Sequence, residues 1–483
     1  MDVKPAVNPW GDATYEEISQ RLKAIVSQPP RLIPRPALEG ILDEYEKRNP
    51  RSKALYAEAK QLIPGGVEHN LAFNFPFPLT MDRSAGCHLW DADGNRYIDF
   101  LLCGAPILLG HNYPALRDAI IEVIREKGPS TGLSSEYEIL AAREIIERMP
   151  AAEMVRFLQS GTEAVMAAIR VARVATHKAK LIKVGGSYHG WSDQVVYDLH
   201  IPGTGSFEAH GIPREARAHT LAVRPNDTTA VEELFEKSKN QGGIAAVLVE
   251  PIGGESGTHP VAAGFNAFLR QICDAYGALL IFDEVVTGFR VARGGAQELF
   301  GVSPDLTILG KIVGHGYPSA GALAGRRQFM ELCSSGIQPG MERAYVGGTL
   351  AANPITCAAT YHALRLSDET DAVQKAAQAA TRLTAGLNGL FSDASLPFYA
   401  YHCQSITHIA TSAPMAVELT DASVLPEIMQ RNTAMQEYGA AMSVFGVNLL
   451  AGSRAYTCLA HDKEAIDAAL QGFQRLVELV TAQ

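Results

Sequence analysis

Cysteine is scarce in this chain and never closely paired: Cys87, Cys103, Cys273, Cys333, Cys357, Cys403 and Cys458 stand far apart, and 7 is an odd count. There is no CxxC pair and no zinc-ligand spacing, so the expectation is reduced thiols in a cytoplasmic protein and no metal. An excess of positive charge is lacking too. With 42 Lys and Arg against 52 Asp and Glu, the formal net charge is −10, which leaves no basic stripe to displace counterions from nucleic acid. The opening MDVKPAVNPWGDATYEE has no apolar signal-peptide core, and no apolar run reaches bilayer-spanning length. No nucleic-acid or membrane partner is expected. What remains is globular composition, 47% hydrophobic and 19% charged, in a chain long enough for two unequal domains.

Residues 1–55 read as an N-terminal extension. Tyr15 to Val26 has the pattern of a short amphipathic helix, PPRLIPRP (29–36) is too proline-rich for helix or central strand, and Pro64-Gly65-Gly66 breaks the helix that begins near Ala37. CHLWDADGNRYIDF (87–100) alternates around Asp93-Gly94, a hairpin signal. Helical patterns follow at Leu116–Lys127 and Glu136–Met149, the second opened by Ser135 and Glu138 at capping-box spacing. Short apolar runs then alternate with helical stretches: MVRFL (154–158), KLIKV (180–184), AAVLVE (245–250), ALLIFDE (278–284), DLTILGK (305–311) and ALAG (322–325). That alternation predicts an α/β fold with a mostly parallel sheet covered on both faces, binding its ligand beyond the carboxyl ends of the strands. The division expected is 56–110 contributing to a small domain, 111–357 the large domain and 358–483 the small C-terminal domain.

The chemistry-bearing residues fall at those strand ends. Ser160-Gly161-Thr162 follow MVRFL and open a helix, where free N–H groups and the helix dipole favour a phosphate; simple capping is the plainer reading of the same residues. Tyr188 follows KLIKV and can lie flat on an aromatic ring, or be an ordinary half-buried tyrosine. His189 beside it is ambiguous between substrate contact and structure. Asp283 ends an apolar run, where a carboxylate is costly unless paired, and Glu284 points the other way by strand alternation. Glu250, ending AAVLVE, has a similar position and reads as a brace of the sheet edge. Lys311 follows an apolar run and precedes Gly314 and Gly316; lysine is seldom buried without a task. An amine for an aldehyde, an anion for a ring nitrogen and a phosphate cradle, in this order, are the parts needed to hold pyridoxal 5'-phosphate. GPSTG (128–132) satisfies the G-x-S-x-G pattern, but it follows a helix rather than a strand, so a serine hydrolase acting through Ser130 is rejected. Gly203-Thr204-Gly205 has no strand entering it and does not support a dinucleotide site.

Taken together, LIPGGV (62–67), LLGHNYPAL (108–116), SGTEAVMAAIRVAR (160–173), YHG (188–190), VEP (249–251), CDAYGALLIFDEVVTGFRVARGGAQ (273–297), PDLTILGKIVG (304–314) and GGTLAANP (347–354) resemble the class III aminotransferases of fold-type I, and within them the glutamate-1-semialdehyde 2,1-aminomutase subgroup. The resemblance implies a large domain with a seven-stranded sheet between helices and a smaller α+β domain. It implies Lys311 as Schiff-base lysine and proton shuttle, and Asp283 as partner of the pyridine nitrogen. Ser160, Gly161 and Thr162 would hold the phosphate, Tyr188 would stack on the ring, and Glu255 and Val285 would line the cofactor. Gly348 and Thr349 would reach the phosphate of a neighbouring subunit, which implies a homodimer.

Departures accompany the matches. The aminomutases place an arginine for the substrate carboxylate where this chain has Ala72, and alanine cannot make that bidentate pair. Their SAFEAG-like glutamate is replaced by the shorter AGSRAY (451–456), with Arg454; their asparagine near the phenolic oxygen aligns with Glu255, and His315 replaces a glycine. Phe73, Phe75 and Phe77 suit an apolar substrate group or, preferably, the core. The expectation is a ping-pong aminotransferase taking a small-molecule amino donor and a carbonyl acceptor. The alternatives are an aminomutase or amino-acid racemase, and from another class a non-catalytic scaffold that keeps the fold.

Overall fold

Strands buried on both faces do not alternate polar and apolar residues, and the strands in the middle of this chain are nearly all apolar. The computed structural model describes residues 8–69, 74–128, 132–205, 209–336, 340, 342–419, 422–449 and 452–482. Among them, Met154–Leu158, Lys180–Val184, Thr220–Val223, Ile244–Val249, Leu279–Asp283, Leu306–Gly310 and Gly321–Gly325 form one seven-stranded sheet. Side by side, the strands begin at Met154, Gly321, Leu306, Leu279, Ile244, Lys180 and Thr220. Gly321–Gly325 is antiparallel to both neighbours and the other adjacent pairs are parallel. Six of the strands match the apolar runs of the sequence. The edge strand Thr220–Val223 was not foreseen, because four residues after a polar loop make too short a run to stand out.

Alternate residues of each strand serve opposite faces. Leu248, Ile281, Ile308 and Leu323 pack under the helix Gly161–Thr176, whose Ala164, Ala167, Ala168 and Ala172 are buried and let it lie close to the sheet. Val247, Leu280 and Phe282 face the other way, against Val231 and Phe235 of Thr228–Ser238 and Leu269 and Ile272 of Phe265–Tyr276. Each aliphatic side chain so enclosed contributes about 1.5–3 kcal/mol.

The chain divides into two compact units, Pro114–Val373 with residues up to Pro9, and Trp10–Tyr113 with Gln374–Gln483. This differs from the division drawn from the sequence in two places. The break falls after Val373 rather than at 358, because the helix Pro354–Glu369 packs on Glu136–Arg148 and Pro114–Glu126 of the first unit. Residues 10–55, expected as a separate extension, belong to the second unit. Their helices Tyr15–Val26 and Arg35–Arg48, followed by Pro50–Leu62, bring Ile33, Leu38, Ile41 and Tyr45 into the same core as Leu383, Leu387, Tyr438 and Phe473. Phe77 is in that core as well, its ring edge-on to Tyr45 at 5.0 Å; Phe73 lies outside the described residues. The second unit's sheets join Met81–Ala85, His88–Asp91, Arg96–Asp99 and Val447–Asn448, and Tyr399–Cys403, Ile406–Ala410 and Arg454–Tyr456. No helix among the described residues is long and apolar enough to cross a membrane.

A buried guanidinium ties the extension down. Arg431, 1% exposed, donates to the carbonyls of Val26 (2.8 Å), Gln28 (2.7 Å) and Ser412 (2.9 Å), and pairs with Glu427 at 2.7 Å. Replacing Arg431 with Ala strands those carbonyls, and a loss of about 3 kcal/mol is expected. Urea unfolding measures it; a change below about 0.5 kcal/mol, the level of an ordinary surface substitution, would show the guanidinium to be dispensable.

Candidate active site

The first unit gathers its polar residues at the carboxyl ends of the parallel strands. The Met154 strand delivers Ser160 to the start of the helix Gly161–Thr176, where Ser160 is the N-cap and its Oγ accepts the Glu163 N–H at 3.2 Å. The capping expected of Ser160 is therefore present. The first-turn N–H groups still have no acceptor inside the helix and face outward with partial positive charge. Thr162 lies against Gly190. A Cβ at Gly190, where φ is +83°, would collide with the Thr162 side chain, so glycine is what allows the Tyr188–Gly190 segment to approach the helix start.

Asp283 ends the Leu279 strand and is 5% exposed. Its Oδ2 is 2.7 Å from His189 Nδ1, and its Oδ1 accepts the Val285 N–H at 3.1 Å. His189 is fully buried. Burial drives its pKa below the ordinary imidazole range, while the bond to Asp283 pulls upward. Its Nε2 has no hydrogen-bond partner among the described residues. The sequence left His189 between substrate contact and structure; its position beneath Asp283 favours a supporting role. Glu284 does turn the opposite way, to the Thr287 hydroxyl (3.0 Å), the Ala296 N–H (2.5 Å) and the Gln297 amide (3.0 Å).

Lys311 follows the adjacent parallel strand, in which Ile308 is in register with Asp283. It is half-buried and holds φ at +46°, a conformation that non-glycine residues seldom keep without compensating contacts. Val285 packs against both Gly161 and Gly310, so it touches the helix start and the residue before the lysine. Ser160, Gly161, Thr162, His189, Asp283, Val285 and Lys311 thus share one edge of one sheet. Gly348 and Thr349 are exposed, beside a cleft of about 800 Å³ that Arg143, Arg156 and Asn353 also line. Neither Lys311 nor Asp283 borders that cleft, so its size alone does not mark the chemistry. Ala72 and Ser130 lie outside the described residues. Arg454 is buried in the second unit, its Nη1 3.3 Å from the Tyr456 hydroxyl.

Glu250 does more than the sheet-edge brace expected of it. Its Oε1 accepts the N–H groups of Tyr188 (3.1 Å) and Glu255 (3.0 Å), and its Oε2 that of Ser256 (2.8 Å). Burial, then the charges of Glu255 and Asp283, push this carboxyl up to about 8, against the N–H bonds that hold it down. Burial and the same two acids raise the Tyr188 phenol, whose residue remains 47% exposed. Glu255 lies 3.4 Å from His200 Nε2. Sequence reasoning missed the His189–Asp283 bond and a second charged residue, Lys183, whose only signal was a cation inside an otherwise apolar strand.

A family model for class-III aminotransferases matches residues 72–475. The chain belongs to that family. It is similar to a glutamate-1-semialdehyde 2,1-aminomutase of Syntrophobacter fumaroxidans, 40% identical over 74% of this chain and 81% of the relative. It is also similar to one of Methanocaldococcus jannaschii, 36% identical over 89% and 98%. A solved transaminase with PLP bound is 28% identical, with a TM-score of 0.79 over 90% of this chain and 98% of that one. The cofactor of the family member described here is pyridoxal 5'-phosphate. The residues present suit it: an amine, a buried acid braced by an imidazole, and a helix start left open by glycine.

Gly190→Ala tests whether that close approach matters to the cofactor. The new methyl meets Thr162 in a left-handed backbone, and strain of about 1–3 kcal/mol is expected at that spot. Retention of cofactor after dialysis should fall about tenfold or more while the unfolding midpoint moves little; full retention would dissociate Gly190 from the site.

Proposed function

We propose that this class-III enzyme relocates an amino group, with Lys311 both holding the cofactor and moving protons. The observation that carries this is the pairing of Lys311 with the His189-braced Asp283 at the ends of adjacent parallel strands. When bound, pyridoxal phosphate supplies an electron sink for negative charge left on a substrate carbon. Asp283 would face the ring nitrogen of the bound cofactor. His189 orients the Asp283 side chain; Tyr188 would lie against the ring, and Glu255 and Val285 would line the remaining sides. The N–H groups at Ser160, Gly161 and Thr162 would take the phosphate. Lys311 would hold the cofactor's aldehyde and, with its amine free, would serve as the base and acid at the substrate carbon. Gly348 and Thr349 are offered to the phosphate of a second copy, which makes a homodimer the working assembly.

The two relatives at 36–40% identity are named as aminomutases. They support rearrangement within one molecule, glutamate-1-semialdehyde or a related amino compound, ahead of exchange between two substrates. The two-substrate, ping-pong reading stands second, on Ala72 in place of a carboxylate-binding arginine and on Glu255 and Arg454 where the aminomutases differ.

Borohydride reduction of the cofactor-loaded protein should fix the label on Lys311, and Lys311→Ala should lose at least about 10³-fold in turnover. A label mapping to another lysine would refute the assignment. Supplying one amino substrate without a carbonyl acceptor separates the two readings. An aminomutase passes through many turnovers; an aminotransferase stops near one equivalent per site.

A further inference from the structure

Two buried ionisable side chains, one outside the set described above, meet on a single peptide group. Lys183 is 0% exposed in the strand Lys180–Val184. Its Nζ donates to the carbonyls of Ser187 (3.2 Å), Val195 (3.0 Å) and Tyr197 (2.7 Å). The neighbouring parallel strand ends at Val249, and Glu250 directly after it accepts the Tyr188 N–H at 3.1 Å. The Ser187 carbonyl and the Tyr188 N–H are the two ends of one amide plane. The Lys183 amine therefore holds its oxygen and the Glu250 carboxyl its nitrogen, so both ends of the amide are fixed by buried side chains.

The second loop is fastened at the same point. Glu255 and Ser256 both hold left-handed φ, +53° and +56°, with their N–H groups on the Glu250 carboxylate. Gly254 abuts the first loop so closely that a Cβ there would stand 2.6 Å from the Gly186 oxygen. Neither loop can shift without disturbing the carboxylate they share.

We propose that Lys183 and Glu250 are paired positioning residues that clamp the Ser187–Tyr188 peptide from its two ends. In doing so they set the angle at which the Tyr188 ring and the His189 imidazole meet the cofactor. This deepens the function proposed above, since it rests on Tyr188 lying against the ring. A buried pair that only filled space and stiffened the strands would affect stability, not the fit of the cofactor.

Glu250→Gln keeps the shape but turns a donor toward N–H groups that need an acceptor. Apo-protein is titrated with pyridoxal phosphate as the wild type, Glu250→Gln, Tyr188→Ala and the double variant. The near-ultraviolet circular dichroism of the bound cofactor is recorded, along with the apo-protein's unfolding temperature. Glu250→Gln should weaken binding about tenfold or more and change the dichroic band; in the Tyr188→Ala background it should add less than about threefold, because the two act through one contact. Lys183→Met should repeat this pattern; if it does not fold, Glu250→Gln decides alone. Equal weakening in both backgrounds, or unchanged affinity and dichroism with only a lower unfolding temperature, would overturn the clamp. Normal binding by Tyr188→Ala would instead refute the stacking role. The clamp would then be judged on the dichroism of Glu250→Gln, and an unchanged band would end it.

Discussion

A carboxylate sealed at the end of a central strand has to be held by donors, and the site depends on how Asp283 meets that requirement. His189 supplies one contact and the Val285 N–H another. Each brings its own segment with it: Tyr188 and Gly190 flank the histidine, and Val285 packs against the helix start and the approach to Lys311. Satisfying one buried charge thus draws three strand ends into a single arrangement. Glu250 repeats the principle nearby, one carboxylate answering three N–H groups from two loops. Fixed groups of this kind need no rearrangement when charge develops on a bound reactant.

Family membership and site geometry constrain different things. Membership brings the cofactor, and the two curated relatives are named as aminomutases. The geometry of the first unit is compatible with intramolecular and intermolecular transfer alike, because both need the same amine, acid and phosphate cradle. What separates them is how the rest of the substrate is held.

Much of the sheet and half of the site were legible in the sequence. Runs such as AAVLVE and ALLIFDE announce doubly buried strands, because nothing polar interrupts them until the strand ends. Asp283 and Lys311 stood out for the same reason, as charges arriving where apolar sequence stops. The partners of those charges did not stand out. His189 is separated from Asp283 by 94 residues, and no local pattern records which imidazole meets which acid. Lys183 was hidden because its partners are main-chain carbonyls, which sequence does not spell. The unit boundary failed similarly: the apolar face of Pro354–Glu369 shows that the helix packs, not against what. The extension misled for another reason. Proline-rich 29–36 reads as an extended linker, and only the folded chain reveals that its neighbours Val26 and Gln28 present carbonyls to a guanidinium some 400 positions later.

That last arrangement bears on how the polypeptide matures. About a quarter of the second unit's core, Ile33 to Phe100, is made before residues 114–373 of the first unit, and the rest after them. During synthesis the seven-stranded sheet has all its strands before residue 374 exists, while Ile33, Leu38 and Tyr45 wait for Leu383, Leu387, Tyr438 and Phe473. Domains fold as units in order of emergence, so core residues made ahead of the first unit are enclosed only after it. In that interval they are open to holdase chaperones and proteases.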